Sequence, residues 1–113
     1  MKRTRVLWAR SARRDLEGIV AYLAEHSPQA ALATLDRLEA RAATLRTLAD
    51  RGRIVPQLRR LHVVEYRELV ETPHRIVYRV AGSRVLVLAV LDARRNLEDV
   101  LLDRLLRLDD GEA

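Results

Sequence analysis

The sequence has no cysteine, which excludes a disulfide framework, a thiolate zinc site and a cysteine nucleophile. Its three histidines, His26, His62 and His74, are scattered, so neither a metal site nor a cofactor is expected. No stretch approaches the ~20 apolar residues of a membrane span. The N-terminal "MKRTRVLWARSARRD" lacks the apolar core of a signal peptide, and a cytoplasmic protein without membrane association is the expectation. A GxxxxGK loop, a GxGxxG after a strand and a Ser-His-Asp arrangement in recognisable context are all missing. A conventional nucleotide enzyme or hydrolase is therefore not supported.

Lysine is almost absent too. Of 21 cationic side chains only Lys2 is not arginine, and against 16 acids they give a formal charge of +5. Arginine presents a planar fork that is always charged and suits carboxylates and phosphates. The excess points to an anionic partner, nucleic acid or acidic protein, although a GC-rich genome enriches arginine in the same way. At 113 residues with 49% apolar side chains, one domain spanning 1–113 with a packed core is expected.

Val6-Leu7-Trp8 is a short β-prone patch, so Arg5 to Trp8 is read as a first strand, with Trp8 as a core anchor. Ser11 offers an N-cap, and Leu16, Ile19, Val20 and Leu23 follow at helical spacing to about Glu25. Ser27-Pro28 then caps and starts a second helix, expected to reach about Leu48. Gly52 ends the helical period, and "DRGRIVPQLRRLH" reads as an irregular basic connector. Beyond it the period becomes two. Val63 to Glu71, His74 to Ala81 and Arg84 to Asp92 are three strands of an antiparallel meander, turned at Thr72-Pro73 and Gly82-Ser83. The last of these is apolar on both faces and belongs inside the sheet. Asn96, with Asp99 three residues on, is expected to cap a final helix whose Leu102 and Leu106 widen the apolar stripe into a possible partner surface. The fold class is α+β, with a helical hairpin packed on one face of the sheet.

In "HRIVYRV" the two-residue period puts Arg75 and Arg79 on one face and His74, Ile76, Tyr78 and Val80 on the other. Arg67, Arg75, Arg79 and the Arg94-Arg95 pair are expected to converge on a cationic surface able to bind phosphates or carboxylates. The competing reading is local pairing with Glu65, Glu68, Glu71 or Asp92. His62 and His74 flank strands and are the candidate proton shuttles. Tyr66 and Tyr78, in adjacent strands, suit packing better than base stacking.

The order of elements, together with "GRIVP", "YREL", "HRIVYRV" and "VLDARRNLE", resembles the RelE/ParE superfamily of bacterial toxins from Val6 to about Leu108. That resemblance implies a cytoplasmic toxin of a type II toxin-antitoxin system, neutralised by a co-encoded acidic antitoxin. RelE-like members cleave messenger RNA in the ribosome, whereas ParE-like members inhibit DNA gyrase by protein contact. A nuclease of this kind would use Arg75, Arg79, Arg94 and His74. Where nuclease members place a tyrosine on the last helix, this sequence has Val100-Leu101-Leu102; where others place a histidine, it has Asp92-Ala93. Arginine alone is a poor proton shuttle, so the ParE-like branch is favoured. A nontoxic nucleic-acid-binding module is a further alternative. On the favoured reading Arg67, Arg75, Arg79, Arg94, Arg95, Leu102 and Leu106 form the surface for antitoxin or target, and glutamate at positions 75 and 79 is expected to weaken the complex without disturbing the fold.

Overall fold

The computed structural model describes residues 3–93 and Arg104. Strand β1 (Arg5–Trp8) is followed by α1 (Arg10–Ala24), α2 (Pro28–Ala43) and a 3-10 turn (Thr44–Arg46). A two-residue strand β2 (Arg53–Ile54) and a single helical turn α3 (Pro56–Arg59) precede β3 (Tyr66–Glu71), β4 (His74–Ala81) and β5 (Arg84–Asp92). The sheet runs β1-β5-β4-β3-β2, with β1 parallel to β5 and every other pair antiparallel. This is the expected α+β arrangement. The expected last helix, with Asn96, Asp99, Leu102 and Leu106, lies outside the described residues, as do Arg94 and Arg95. No helix among the described residues is long and apolar enough to cross a membrane.

Ser27 caps α2 as its sequence implies: its Oγ accepts the Ala30 N–H at 3.1 Å, and Pro28 occupies the first turn. Ser11 does not cap α1. The helix begins at Arg10 with Ala9 at the N-cap, and Ser11 Oγ instead donates to the Leu88 carbonyl at 3.0 Å. The reason lies in β5. Val77 pairs with Ala89 while Tyr78 pairs with Val87, so Leu88 is an extra residue, a β-bulge that leaves backbone groups outside the ladder. Asp15, one turn along α1 from Ser11, accepts the Val90 N–H at 3.0 Å. Two polar side chains four residues apart thus satisfy the bulge from the helix.

The face of the sheet under the α1–α2 hairpin holds the larger core. Ala12, Leu38, Ala42 and Leu45 pack there on Leu69, Ile76, Tyr78, Val85, Val87 and Val90, with Val6, Trp8 and Val80 at its margin. The opposite face holds a smaller core that the connector builds. The segment expected to be irregular supplies β2 and α3, and its Val55 and Leu58 are buried on Val77, Ala89 and Leu91. An apolar cluster on each side explains why β5 reads as apolar throughout. After α3 the chain turns through His62, whose φ of 64° is left-handed; the Val63 N–H then reaches the Leu58 carbonyl at 3.0 Å, closing the helical turn.

Candidate functional site

Alternation along β4 places Ile76 and Tyr78 in the larger core and Val77 in the smaller one, so Arg75 and Arg79 emerge on the α3 side with Val77 between them. Register carries the same face onto the neighbours. Glu68 lies opposite Val77, Tyr66 opposite Arg79, and Arg53 opposite Glu68. On the other flank, Val6 and Trp8 pack in the larger core beside Val85 and Val87, which turns Arg5, Leu7, Arg84 and Leu86 outward onto the α3 side. The strand residues of this face therefore include Arg5, Arg53, Arg75, Arg79 and Arg84, against one acid, Glu68.

On this face the paired arginine side chains meet at Glu68. Its side chain has 0% exposure; Arg53 Nε donates to Oε2 at 2.7 Å, while Arg75 Nη1 reaches Oε2 at 3.0 Å and Oε1 at 3.3 Å. A buried carboxylate is stable only when paired in this way. Arg75 is 18% exposed and Arg53 56%, so the triad is dry at Arg75 and wet at Arg53. Nε of Arg75 and Nε of Arg79 are both buried without a hydrogen-bond partner. The local pairing weighed from sequence thus holds for Arg75 with Glu68 and leaves Arg79 outside it.

Arg67 does not join that face. It lies opposite Tyr78 in the ladder, on the hairpin side, and its Nη1 donates to the Gly52 carbonyl at 2.8 Å. The same glycine donates its N–H to the Tyr78 hydroxyl at 2.9 Å, and that hydroxyl donates to the Ala49 carbonyl at 2.8 Å. Only glycine fits there: a Cβ on Gly52 would lie 2.5 Å from the Tyr78 hydroxyl oxygen and 2.7 Å from the Glu68 carbonyl oxygen. Burial raises the pKa of Tyr78 above the ordinary 10.0, with the Gly52 hydrogen bond and the Arg67 charge opposing that shift. Tyr78 is a core residue that ties the Ala49–Gly52 turn to the sheet.

His74 stands between Glu71 and Asp92 in the ladder, on the side away from Arg75 and Arg79. It lines a groove of 450 Å3 between α1 and the ends of β4 and β5, with Arg14, Asp15, Tyr22, Pro73 and Asp92. Asp15 also receives Arg104, Nη1 at 2.8 Å and Nη2 at 3.0 Å, a bidentate pair on the α1 side of the molecule. His62 sits exposed in the turn after α3 and does not line that groove. Among the described residues no group of three or more His, Cys, Asp or Glu is placed to hold a metal ion.

Arg53, Arg5 and Arg84 were not singled out by sequence, and Glu68 entered only as one of four acids for local pairing. The signal for Glu68 was present: in "YRELVE" it shares a face with Tyr66 and Val70, an acid on a half-buried strand beside an arginine-bearing one. The signal for Arg5 and Arg84 was not, because it depends on the parallel pairing of two strands that are far apart in the chain.

A family model described as the ParE toxin of type II toxin-antitoxin system, parDE, matches residues 6–97. Among solved structures, one titled as the chromosomal ParDE TA system from P. aeruginosa aligns with a TM-score of 0.64 and 25% identity, covering 79% of this chain and 95% of that one. No curated protein matches the sequence.

Proposed function

Since the chain belongs to the ParE toxin family of type II toxin-antitoxin systems, we propose that it acts in the cytoplasm as a toxin that inhibits DNA gyrase by protein–protein contact. An acidic antitoxin neutralises it by covering the arginine-bearing face. The observation that carries the non-nuclease reading is the engagement of Arg75 by the buried Glu68 at 3.0 Å. Ribosomal cleavage of a message needs a group to activate the ribose 2′-hydroxyl and another to protonate the leaving oxygen, beside a cation that clamps the phosphorane. Here the carboxylate offsets the charge of the arginine placed for that clamp. His74 stands on the opposite side of β4, and Tyr66 packs against the smaller core. The proton-bearing strand residues on the face of Arg75 and Arg79 are otherwise engaged, Glu68 by Arg53 and Arg75 and Tyr66 by packing against the smaller core. A protein contact needs no proton-transfer partner, and a cationic face with few acids fits an acidic antitoxin segment.

Arg79 belongs to that antitoxin surface with Arg75, and Arg94, Arg95, Leu102 and Leu106 extend it on the family pattern. Arg67, turned toward the hairpin, supports the surface by holding the Gly52 carbonyl. The test is supercoiling by the host's own gyrase in the presence of purified toxin, run beside primer extension on ribosome-bound message. Inhibited supercoiling with unbroken message is the expected pair of results. New cleavage sites with normal supercoiling would transfer the assignment to the ribosome-dependent endoribonucleases.

A further inference from the structure

Arg5, Arg84 and Arg79 form a second arginine group on the α3-side face, separate from the Glu68 triad. Arg5 and Arg84 are exposed and directly adjacent in the parallel β1–β5 ladder. Arg79 lies on the next strand, opposite Leu86. The smaller core covers Val77, Ala89 and Leu91 but not this end of the face. No acid among the described residues pairs with any of the three, and Nε of Arg79 is buried without a hydrogen-bond partner. Like charges on aligned positions of neighbouring strands repel, so the arrangement weakens the free protein. It becomes favourable when an anion lies across it.

We infer that Arg5, Arg84 and Arg79 form a phosphate-contacting patch that holds the backbone of duplex DNA without reading its sequence. Three features favour a nucleic acid over an acidic peptide. Arg84 on β5 and Arg79 on β4 lie on strands hydrogen-bonded on both sides, where the backbone offers a peptide no ladder to extend and side-chain forks are what the surface presents; only Arg5 lies on an edge strand, β1. The three arginines span two interstrand spacings, roughly 10 Å. Across that distance duplex DNA carries one negative charge per about 1.7 Å of axis, whereas an extended peptide places a carboxylate on one face only every ~7 Å. Finally, the side chains between the arginines are Leu7 and Leu86, and the aromatic beside Arg79 on this face, Tyr66, packs against the smaller core instead of standing free for base stacking, which confines recognition to the backbone.

The inference deepens the gyrase reading, on which the identity of the nucleic acid rests: the toxin would touch both the enzyme and the DNA it holds. Binding is measurable without gyrase, so the two can fail separately. Full-length toxin is titrated against a fluorescent 20-base-pair duplex of arbitrary sequence over a salt series. Each neutralised phosphate contributes about 0.9 to the slope of log affinity against log salt. The triple variant R5Q/R79Q/R84Q is expected to lower that slope by about 2.7, and R5Q/R84Q, confined to exposed positions, by about 1.8. The variant R13Q/R14Q/R51Q removes the same charge from exposed sites elsewhere, and should leave the slope within about one unit of the parent. Equal losses in both triple variants would reduce the effect to net charge and overturn the inference. So would an unchanged slope in R5Q/R84Q, or a patch that binds a polyglutamate peptide and not the duplex. Failure of the toxin to inhibit gyrase while the slope behaves as expected would remove the gyrase reading and leave the DNA contact standing.

Discussion

Arg75 Nη1 lies 3.0 Å from Glu68 Oε2, and the Glu68 side chain has 0% exposure. Neighbouring strands therefore hold a buried ion pair in the centre of a face that is otherwise cationic, and a third strand closes it through Arg53. Removing one member of a buried pair strands the other. Glu68→Ala is expected to destabilise the fold by about 3 kcal/mol, the lower end of the range for such a break because Arg53 is more than half exposed. Urea unfolding checks the value, and an unchanged midpoint would mean that the triad contributes nothing.

The same geometry corrects one expectation drawn from the sequence. Glutamate at position 75 would face Glu68 and bury two carboxylates together, so it tests stability before it tests binding. Arg79→Glu is the cleaner probe, because no carboxylate pairs with Arg79 among the described residues. It is expected to weaken antitoxin binding at least tenfold by calorimetry, through like-charge contact across the interface. Unchanged affinity would take Arg79 out of the antitoxin surface.

Gly52→Ala should destabilise by about 2–3 kcal/mol, because the new Cβ would meet the Tyr78 hydroxyl at 2.5 Å and a backbone carbonyl that cannot move freely. Tyr78 also gives a pH signature. Its pKa is raised in the folded state by burial, so the native protein holds its proton longer than the unfolded chain does. Stability from this group is complete below the unfolded value near 10 and falls as pH rises through the raised folded value. Tyr78→Phe is expected to flatten the alkaline loss in a series of unfolding curves from pH 9 upward, while lowering stability at neutral pH. An alkaline limb unaltered by that change would place its origin elsewhere.

Asp15 ties α1 to β5 and to Arg104, accepting from the Val90 N–H and from Nη1 and Nη2 of Arg104. Asp15→Ala is expected to cost about 2 kcal/mol, since the part-buried Val90 N–H loses its acceptor. Asp15→Asn keeps an oxygen for Val90 and loses the charge opposite Arg104, so its cost should be smaller and largely removed by high salt. Equal costs for the two variants would show that the Val90 bond carries little.

Much of the fold was legible where one local rule dominated. Ser27-Pro28 marked a helix start because the cap and the proline act within four residues, and the two-residue period of "HRIVYRV" assigned Ile76, Tyr78 and Arg75 to their faces. The failures came from contacts distant in sequence. Ser11 looked like a cap until the bulge at Leu88, 77 positions away, claimed its hydroxyl. The basic connector looked irregular because four helical residues and two strand residues are too short to show a period, although Val55 and Leu58 bury a second core. At the site, period two paired Arg75 with Arg79, but the parity of Arg67 relative to them depends on register across a turn. A one-residue change in register moves a side chain to the other face, and Arg67 is on the hairpin side.

The central claim is that this toxin works by protein contact with gyrase. The most direct measurement mixes purified toxin, the host's gyrase, relaxed plasmid and ATP, then denatures the protein and resolves the DNA. The expected result is loss of supercoiled product with accumulation of linear plasmid, which marks gyrase trapped in its DNA-cleaving state. Full supercoiling at saturating toxin, with no linear plasmid, would contradict the account.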